Sequence, residues 1–479
     1  MAQPAAAGSL ATVMTHTSDD LVDVHPRRQI LALVLAVTAT VPGMIIRFTE
    51  PELSAPIQAI TFGLAIVGAA FVLAWAAEVA QLDISAGLAI ALLALIAVLP
   101  EYAVDLVFAW RGGEAYETYG AACGPAGVDY NDTPCSFALA NMTGANRLLI
   151  GVGWSMVVLL AWWRYRTLSR RRAKSPERVT PAQLHEMEGQ TGSGITLDRG
   201  HTVEVAFLAA ATIYSLTLPL KTSITLIDAA VLVGIFVLYT IRISRAPAEE
   251  PHLVGPARYV GTFSDAPRRV AVVAMFAFAA TVILLCAEHF ADALVESGEA
   301  VGVPAFFLVQ WLAPLASEAP ELLVAALYAW RLNTSSALGT LVSSKVNQWT
   351  LLVGTLPIVF AISAGELVGL PLDSLQREEL FLTAAQSLFA VALLSNLSLG
   401  VREALALAGL FFAQFVLGAV VPEQFIAAER IGLGILYLVL GTVIFLRDRK
   451  RLPHLLHDGF RAPYAELLAE TKGPSQPAG

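Results

Sequence analysis

Charged residues and cysteine are both scarce in this chain of 479 residues. Only 14% of the residues are Asp, Glu, Lys or Arg, whereas 56% are hydrophobic and the mean hydropathy is +0.65. These values exclude an ordinary soluble protein and predict a membrane protein. The net charge is −9 and no basic stripe is present, so nothing favours nucleic acid as a partner. The three cysteines exclude a scaffold of several disulfides.

Signatures of an intramembrane enzyme are also missing. His289 and Cys286 are the only histidine and cysteine in the apolar segments, and no His-Glu-x-x-His pattern occurs. The first 28 residues contain no apolar run, so we do not expect them to form a cleavable signal peptide. We therefore expect a protein that is not an enzyme and that carries no cofactor.

What the sequence does contain is a series of about twelve apolar segments long enough to cross a bilayer. They predict an all-α polytopic membrane protein with two halves, residues 29–250 and 251–450, between polar tails at 1–28 and 451–479. The predicted spans are 29–47, 55–80, 85–110, 136–163, 203–219, 224–243, 269–293, 303–330, 336–363, 379–399, 403–421 and 428–446.

Lysine and arginine predict the orientation of these spans. Basic residues cluster before the first span, after the fourth, after the sixth and after the last, and twelve spans place all four clusters on one side. The positive-inside rule makes that side cytoplasmic, with both termini there, and a cell membrane is the expected location. Cys123 and Cys135 then share an outer loop, where they can form one disulfide.

A Pro-Glu pair occurs once in each half. Residues 100–111 and 320–331 are identical at six of twelve positions, including Pro100-Glu101 and Pro320-Glu321. An ionised carboxylate at the bilayer centre costs about 2.5–3.5 kcal/mol on insertion scales, so two at matching places indicate a shared site. Because five spans separate the pairs, the two units have opposite orientations, as in inverted-repeat transporters.

The span after each Pro-Glu opens with small and hydroxylated residues, in ALANMTGAN (138–146) and ALGTLVSSK (337–345). Their oxygen atoms suit hard cations such as Ca²⁺ and Na⁺. The repeat units are therefore predicted over about 85–163 and 303–363. The predicted cation-binding residues are Glu101, Glu321, Asn146, Ser317, Asn141, Thr340 and Ser344.

These residues resemble the calcium/cation antiporter superfamily, of which sodium/calcium exchangers are the best-known members. The paired family repeats read roughly Gly-Thr-Ser-x-Pro-Glu and then Gly-Asn-x-x-Gly-Ser-Asn. Here the second copy reads Ala316-Ser317-Glu318-Ala319-Pro320-Glu321, with Gly302-Val303-Pro304 upstream, and the first continues through 140–146. The resemblance covers about 55–165 and 270–365, and it implies ten core helices in two inverted repeats plus one extra helix at each end.

Four residues depart from the family pattern. Lys345 stands where the family has Asn or Asp, Arg147 replaces an apolar residue, Glu318 replaces Ser, and Asp105 is an additional acid. In one interpretation, Lys345 pairs with Glu318 and Arg147 pairs with Asp105. In the other, Lys345 occupies the place of a bound Na⁺, and a proton or a single cation is transported.

The resemblance implies a secondary active antiporter that exchanges Ca²⁺, or another cation, for Na⁺ or H⁺ by alternating access. A sodium/proton antiporter in which Lys345 replaces a bound cation is the alternative, and a cation channel is a more distant one. The expected partners are inorganic cations and the lipid bilayer. Both a monomer and a homodimer remain open.

The charge asymmetry makes a testable prediction of topology. Both termini and residues 164–202 should be cytoplasmic, and the loop 112–135 should be external. Single cysteines introduced into a background without native cysteines should therefore react with an impermeant reagent in sealed cells only in the loop 112–135. Labelling near Arg171 would contradict both the orientation and the inverted repeat.

Overall fold

The computed structural model describes residues 26–83, 99–174, 184, 187, 192–246, 253, 255–302 and 304–469. In the first half the helices are α1 (Pro26–Thr49), α2 (Ala55–Ala80), α3 (Leu99–Tyr119), α4 (Pro134–Leu148), α5 (Ser155–Lys174), α6 (Thr202–Ser215) and α7 (Leu226–Ile243). In the second half they are α8 (Pro256–Gly261), α9 (Asp265–Val301), α10 (Ala305–Trp330), α11 (Thr334–Asn347), α12 (Val353–Ala364), α13 (Ser374–Leu393), α14 (Val401–Val420), α15 (Glu423–Arg447), α16 (Leu452–Phe460) and α17 (Tyr464–Ala469).

The prediction of an all-α polytopic membrane protein is confirmed. Eleven helical segments among the described residues are long and apolar enough to cross a membrane, and they coincide with eleven of the predicted spans. The remaining prediction, 85–110, lies mostly outside the described residues, which resume with α3. Val303 and residues 97–98 of the predicted repeats also lie outside them.

Large apolar side chains cover the outside of the helices. Leu35 is 60% exposed, Leu64 55%, Leu238 60% and Val443 58%. Helices whose outer side chains are apolar, and whose backbone groups bond internally, are suited to lipid. The chain is an integral membrane protein.

The connecting segments gather at two ends of the molecule. Strand β1 (Gly194–Thr196) pairs antiparallel with β4 (Ser398–Gly400), and β2 (Ser223–Ile224) pairs antiparallel with β3 (Leu370–Pro371). We call the end with β1, β4 and residues 81–83, 197–201 and 244–246 the basic end. The end with β2, β3 and residues 120–133 and 365–373 is the disulfide end, because Cys123 and Cys135 are bonded there. The loops at each end are loops that the sequence analysis predicts on one side of the membrane. The assignment of the basic end to the cytoplasm remains a prediction.

Each half contains a π-helical segment at the same point of its repeat. Helix α4 continues into the π segment Leu149–Trp154, and α11 continues into Gln348–Leu352. The two segments begin 199 positions apart, which is also the offset between the two small-polar motifs. A π segment changes the direction of the side chains that follow it and is often found at functional sites. The similarity between the two inverted units therefore includes the position of the π segment as well as the sequence motifs.

Helices α4 and α10 cross at Gly144. An added Cβ on Gly144 would overlap the backbone carbonyl oxygen of Gln310. Pro314 lies one turn further along α10 and has no amide hydrogen, so this carbonyl lacks its usual helical donor. The glycine lets the two repeat helices approach at a point where the backbone of α10 is irregular.

This crossing makes Gly144→Ala a test of the packing. Because the new methyl group would overlap backbone, the variant should lose about 1–3 kcal/mol of stability, measured as a lower unfolding temperature in detergent. The matched control is Gly234→Ala on α7, where nothing lies within 4 Å of an added Cβ. Equal unfolding temperatures for the two variants would contradict the crossing.

Candidate functional site

The glutamate of the first Pro-Glu motif meets the second repeat through the side-chain amide of Gln348. Gln348 Nε2 donates to Glu101 Oε1 and Oε2, both at 3.1 Å, and to Glu318 Oε1 at 3.0 Å. Glu101 is 1% exposed, and Glu318 and Gln348 are fully buried. Two carboxylates from opposite halves of the chain therefore share one amide in the interior.

Helix geometry explains why α10 and the continuous helix formed by α11 and its π segment present matching groups. Glu318 and Glu321 are three residues apart on α10. Ser344 on α11 and Gln348 at the start of the π segment are four residues apart, so each pair lies along one helix face. Ser344 Oγ donates to Glu321 Oε2 at 2.6 Å, while Gln348 reaches Glu318. Pro320 lies between the acids and leaves the carbonyl of Ala316 without its helical donor, which adds an oxygen near the acids.

A cavity of about 370 Å³ leads from the basic end to Glu321. Its deep part is lined by Pro100, Ser317, Glu321, Ser344 and Asn347, and its mouth includes Gln81, His201 and Tyr328. The cavity lining includes neither Glu101 nor Glu318. The candidate site is thus approached from one end, with Glu321 at the front and the pair on Gln348 behind it.

Lys345 does not contact Glu318 directly, contrary to one of the two interpretations of the sequence. Lys345 Nζ donates to the backbone carbonyl of Asn146 at 3.0 Å and to Asn146 Oδ1 at 2.5 Å, and it lies 4.7 Å from the ring centroid of Trp349. Lys345 and Asn146 occupy equivalent positions in the two repeats. Because the repeats are inverted, these equivalent helices face each other, and the ammonium meets the amide rather than the acid one helix away.

The predicted pairing of Arg147 with Asp105 is also wrong. Arg147 is fully buried, and its Nη2 lies 2.6 Å from Glu379 Oε2 on α13. Arg430 approaches the same carboxylate, with Nε 2.9 Å from Glu379 Oε1. Side chains of neighbouring helical residues point about 100° apart, so Arg147 points away from Lys345, which contacts Asn146. It belongs to a separate buried ionic cluster, which we define as Arg147, Glu379 and Arg430.

The other predicted site residues take less central positions. Asn141 Nδ2 donates to Asp105 Oδ1 at 2.7 Å, in a buried pair of its own. Ser317 and Thr340 line the cavity, but their hydroxyl groups donate to carbonyls of their own helices, Ala313 and Ser336. Because these hydrogens are already donated, each hydroxyl can act toward the cavity only through the lone pairs of its oxygen.

The described side chains suit the exchange of small cations. Glu101, Glu318 and Glu321 with Lys345 leave two negative charges when all four are ionised. Carboxylate, amide and hydroxyl oxygens are the ligands that hard cations prefer, and the same carboxylates can bind protons. Among the described residues, no group of three or more His, Cys, Asp or Glu already stands around one metal position.

Sequence reasoning missed several of these groups. Gln348 follows the small-polar motif and is not among the predicted ligands, although its spacing of four from Ser344 places it on the same face. Glu379 and Arg430 lie outside the repeat motifs, and nothing in the spacing connects them with Arg147. His201 lies outside the predicted spans, yet it lines the cavity mouth.

An inverted repeat with a buried carboxylate site and access from one end defines the class of secondary transporters. The chain belongs to the sodium/calcium exchanger protein family, whose model matches residues 54–244 and 271–419. A crystal structure described as the H⁺/Ca²⁺ exchanger CAX is 38% identical to this chain, with a TM-score of 0.77. The match covers 90% of this chain and 98% of the chain in that structure. A structure described as the Ca²⁺/H⁺ antiporter protein YfkE shares the fold at 13% identity, covering 86% of this chain and 99% of its own with a TM-score of 0.52. No curated protein matches the chain.

The buried ionic cluster should be structural rather than ion-binding. Arg147→Met leaves the Glu379 carboxylate with one cation fewer, and breaking a buried pair costs about 3–5 kcal/mol. We expect a lower unfolding temperature, partly recovered in the double variant Arg147→Met/Glu379→Gln, and unchanged ion dependence of the folded protein. Arg447→Met, at a side chain that is 64% exposed, is the control. A stable Arg147→Met with altered ion dependence would contradict this assignment.

Proposed function

We propose that this protein is a secondary active antiporter that exchanges Ca²⁺ for H⁺ around Glu101, Glu318 and Glu321. The observation that carries the proposal is the sharing of Gln348 Nε2 between Glu101 and Glu318, with Glu321 beside them on Ser344. These contacts bring acids of both repeats to one place. A carrier needs such a place, because one site must serve both membrane sides in turn.

Charge supports a divalent cation as the substrate. Three carboxylates and one ammonium balance two positive charges, which one Ca²⁺ or two protons can supply. Buried like charges oppose each other strongly at low dielectric, so the carboxylates are best occupied by one or the other. Ca²⁺ and H⁺ then compete for the same oxygen atoms, which is the condition for obligatory exchange.

The cavity supports alternating access. It joins Glu321 with the basic end, so this conformation admits ions from that side. An inverted repeat can adopt the complementary conformation when the two halves exchange their arrangements, which opens the other side. We propose that both termini and the basic end are cytoplasmic, that the protein lies in the cell membrane, and that the halves comprise 29–250 and 251–450.

The relatives favour protons as the counter-ion. The CAX structure, 38% identical over 90% of this chain, is described as an H⁺/Ca²⁺ exchanger. The candidate ligands of the proposed site are Glu101, Glu318, Glu321, Ser344 and Gln348, with Asn146, Ser317 and Thr340 at its edges.

A second candidate function is Na⁺/H⁺ exchange, and the contact of Lys345 favours it. Its ammonium donates to two oxygens of Asn146, a residue predicted as a cation ligand. An internal ammonium there can stand in for a bound monovalent cation and lower the number of ions that the site requires. Whether Ca²⁺ alone drives proton movement separates the two functions.

Removing the carboxylate charges tests the main proposal. Glu101→Gln and Glu321→Gln are nearly isosteric, and each should reduce Ca²⁺-driven proton flux in proteoliposomes by at least about a hundredfold. Expression and unfolding temperature should stay near wild type. Glu366→Gln, in an exposed loop of the disulfide end, is the matched control and should keep full activity. Exchange near the wild-type rate in the double variant would reject the site.

Changing Lys345 tests its role in ion choice. Lys345→Asn removes a positive charge from a poorly screened region and releases the oxygens of Asn146. We expect a higher apparent Ca²⁺ affinity or a new dependence on Na⁺, together with weaker proton coupling. Lys345→Arg keeps the charge and serves as the control. A stable Lys345→Asn variant with unchanged ion dependence would contradict a role in coupling.

A further inference from the structure

Two titratable side chains stand together at the mouth of the cavity. His201 Nδ1 lies 3.5 Å from Glu204 Oε1, and the two side chains are 25% and 8% exposed. Both line the cavity that ends at Glu321. This pair is therefore in contact with the solvent of the basic end and with the interior of the transporter.

The imidazole of His201 packs against α11, the helix that carries Ser344 of the candidate site. A Cβ on Gly339 of α11 would meet His201 Nε2 at 2.6 Å, so the ring fits only because position 339 has no side chain. Ser343 and Ser344 follow Gly339 on the same helix by about one turn. The position of His201 is thus tied to the backbone that holds Glu321 through Ser344.

Several hydroxyl groups line the same cavity as this pair and Glu321. Tyr239 Oη and Ser343 Oγ are 2.8 Å apart, and both residues line the cavity. The adjacent Ser344 donates to Glu321 Oε2 at 2.6 Å. Tyr239 and Glu204 both line the cavity and interact electrostatically.

Titratable side chains of neighbouring elements share this cavity with His201. Glu204 lies on α6, Glu78 on α2 and Tyr239 on α7, and all three line the cavity. Arg242 of α7 lies over the ring of Tyr464 of α17, and Tyr464 also interacts with Glu204. Histidine is the side chain whose charge ordinarily changes between about pH 5 and 8.

We propose that His201 and Glu204 collect and release protons for Glu321, with Tyr239 and Ser343 as the relay. This inference rests on the proposed exchange of cations for H⁺. When a cation displaces the proton of Glu321, the proton passes to the cavity hydroxyls, each of which accepts one proton and gives up its own. Glu204 or His201 takes the proton that leaves the relay and returns it to solvent at the basic end.

The test separates proton flux from cation flux in wild-type and variant proteoliposomes. Proton flux driven by Ca²⁺ is followed with a pH-sensitive dye, and Ca²⁺/Ca²⁺ self-exchange, which needs no net proton movement, is followed with isotopic Ca²⁺. His201→Gln and Tyr239→Phe should each lower Ca²⁺-driven proton flux by about tenfold and leave self-exchange unchanged. Ser343→Ala should reproduce Tyr239→Phe, since both remove the same hydrogen bond.

His289→Gln is the matched control, because His289 packs on Phe62 in another part of the protein and should not affect either flux. His201→Gln should also flatten the pH dependence of proton flux when pH is changed on the basic-end side. An equal fall of both fluxes in His201→Gln would overturn the proposal and place the residue on the cation path. Unaltered proton flux in His201→Gln and Tyr239→Phe would also overturn it. Absence of Ca²⁺-driven proton flux in wild type, with self-exchange intact, would instead reject the proposed function.

Discussion

The cost of burying charge governs the interior of this protein. An ionised side chain in a low-dielectric interior is tolerated only where hydrogen bonds or an opposite charge compensate it. Each buried acid at the candidate site has such a partner: Glu101 and Glu318 share Gln348, and Glu321 accepts from Ser344. These partners are neutral, so they hold the carboxylates in place without cancelling their charge. The site therefore keeps the negative charge that a cation or a proton requires.

Salt bridges between buried charges lie elsewhere, and this contrast distinguishes structural groups from groups that take part in transport. Arg147 and Arg430 both approach Glu379, which compensates that carboxylate with salt bridges between α4, α13 and α15. Such a cluster fixes helices against each other and has little left to offer an ion. Lys345 lies between these extremes, since its ammonium is held by the neutral oxygens of Asn146. Its positive charge therefore still acts on the site.

Much of the fold follows from the sequence, because a long apolar segment directly indicates a helix that spans the membrane. Eleven predicted spans coincide with described helices, and the duplicated Pro-Glu pairs indicated the inverted repeat. The acids were also predictable, since a carboxylate in an apolar span needs a functional reason. The partners of Lys345 and Arg147 were not, because a helix turns about 100° per residue and spacing cannot tell which neighbouring helix a side chain meets. Gln348 could not be recognised from the motif, because it follows the small-polar segment 337–345.

Proton release on Ca²⁺ binding tests most directly whether Ca²⁺ and protons share these carboxylates. Calorimetry of Ca²⁺ binding to the detergent-solubilised protein, repeated in buffers of different ionisation enthalpy, counts the protons released per ion. We predict that up to two protons are released per Ca²⁺ bound, and that this number falls when either Glu101 or Glu321 is replaced by Gln. Ca²⁺ binding without proton release at any pH, or binding of wild-type strength in the protein that lacks both glutamates, would contradict it.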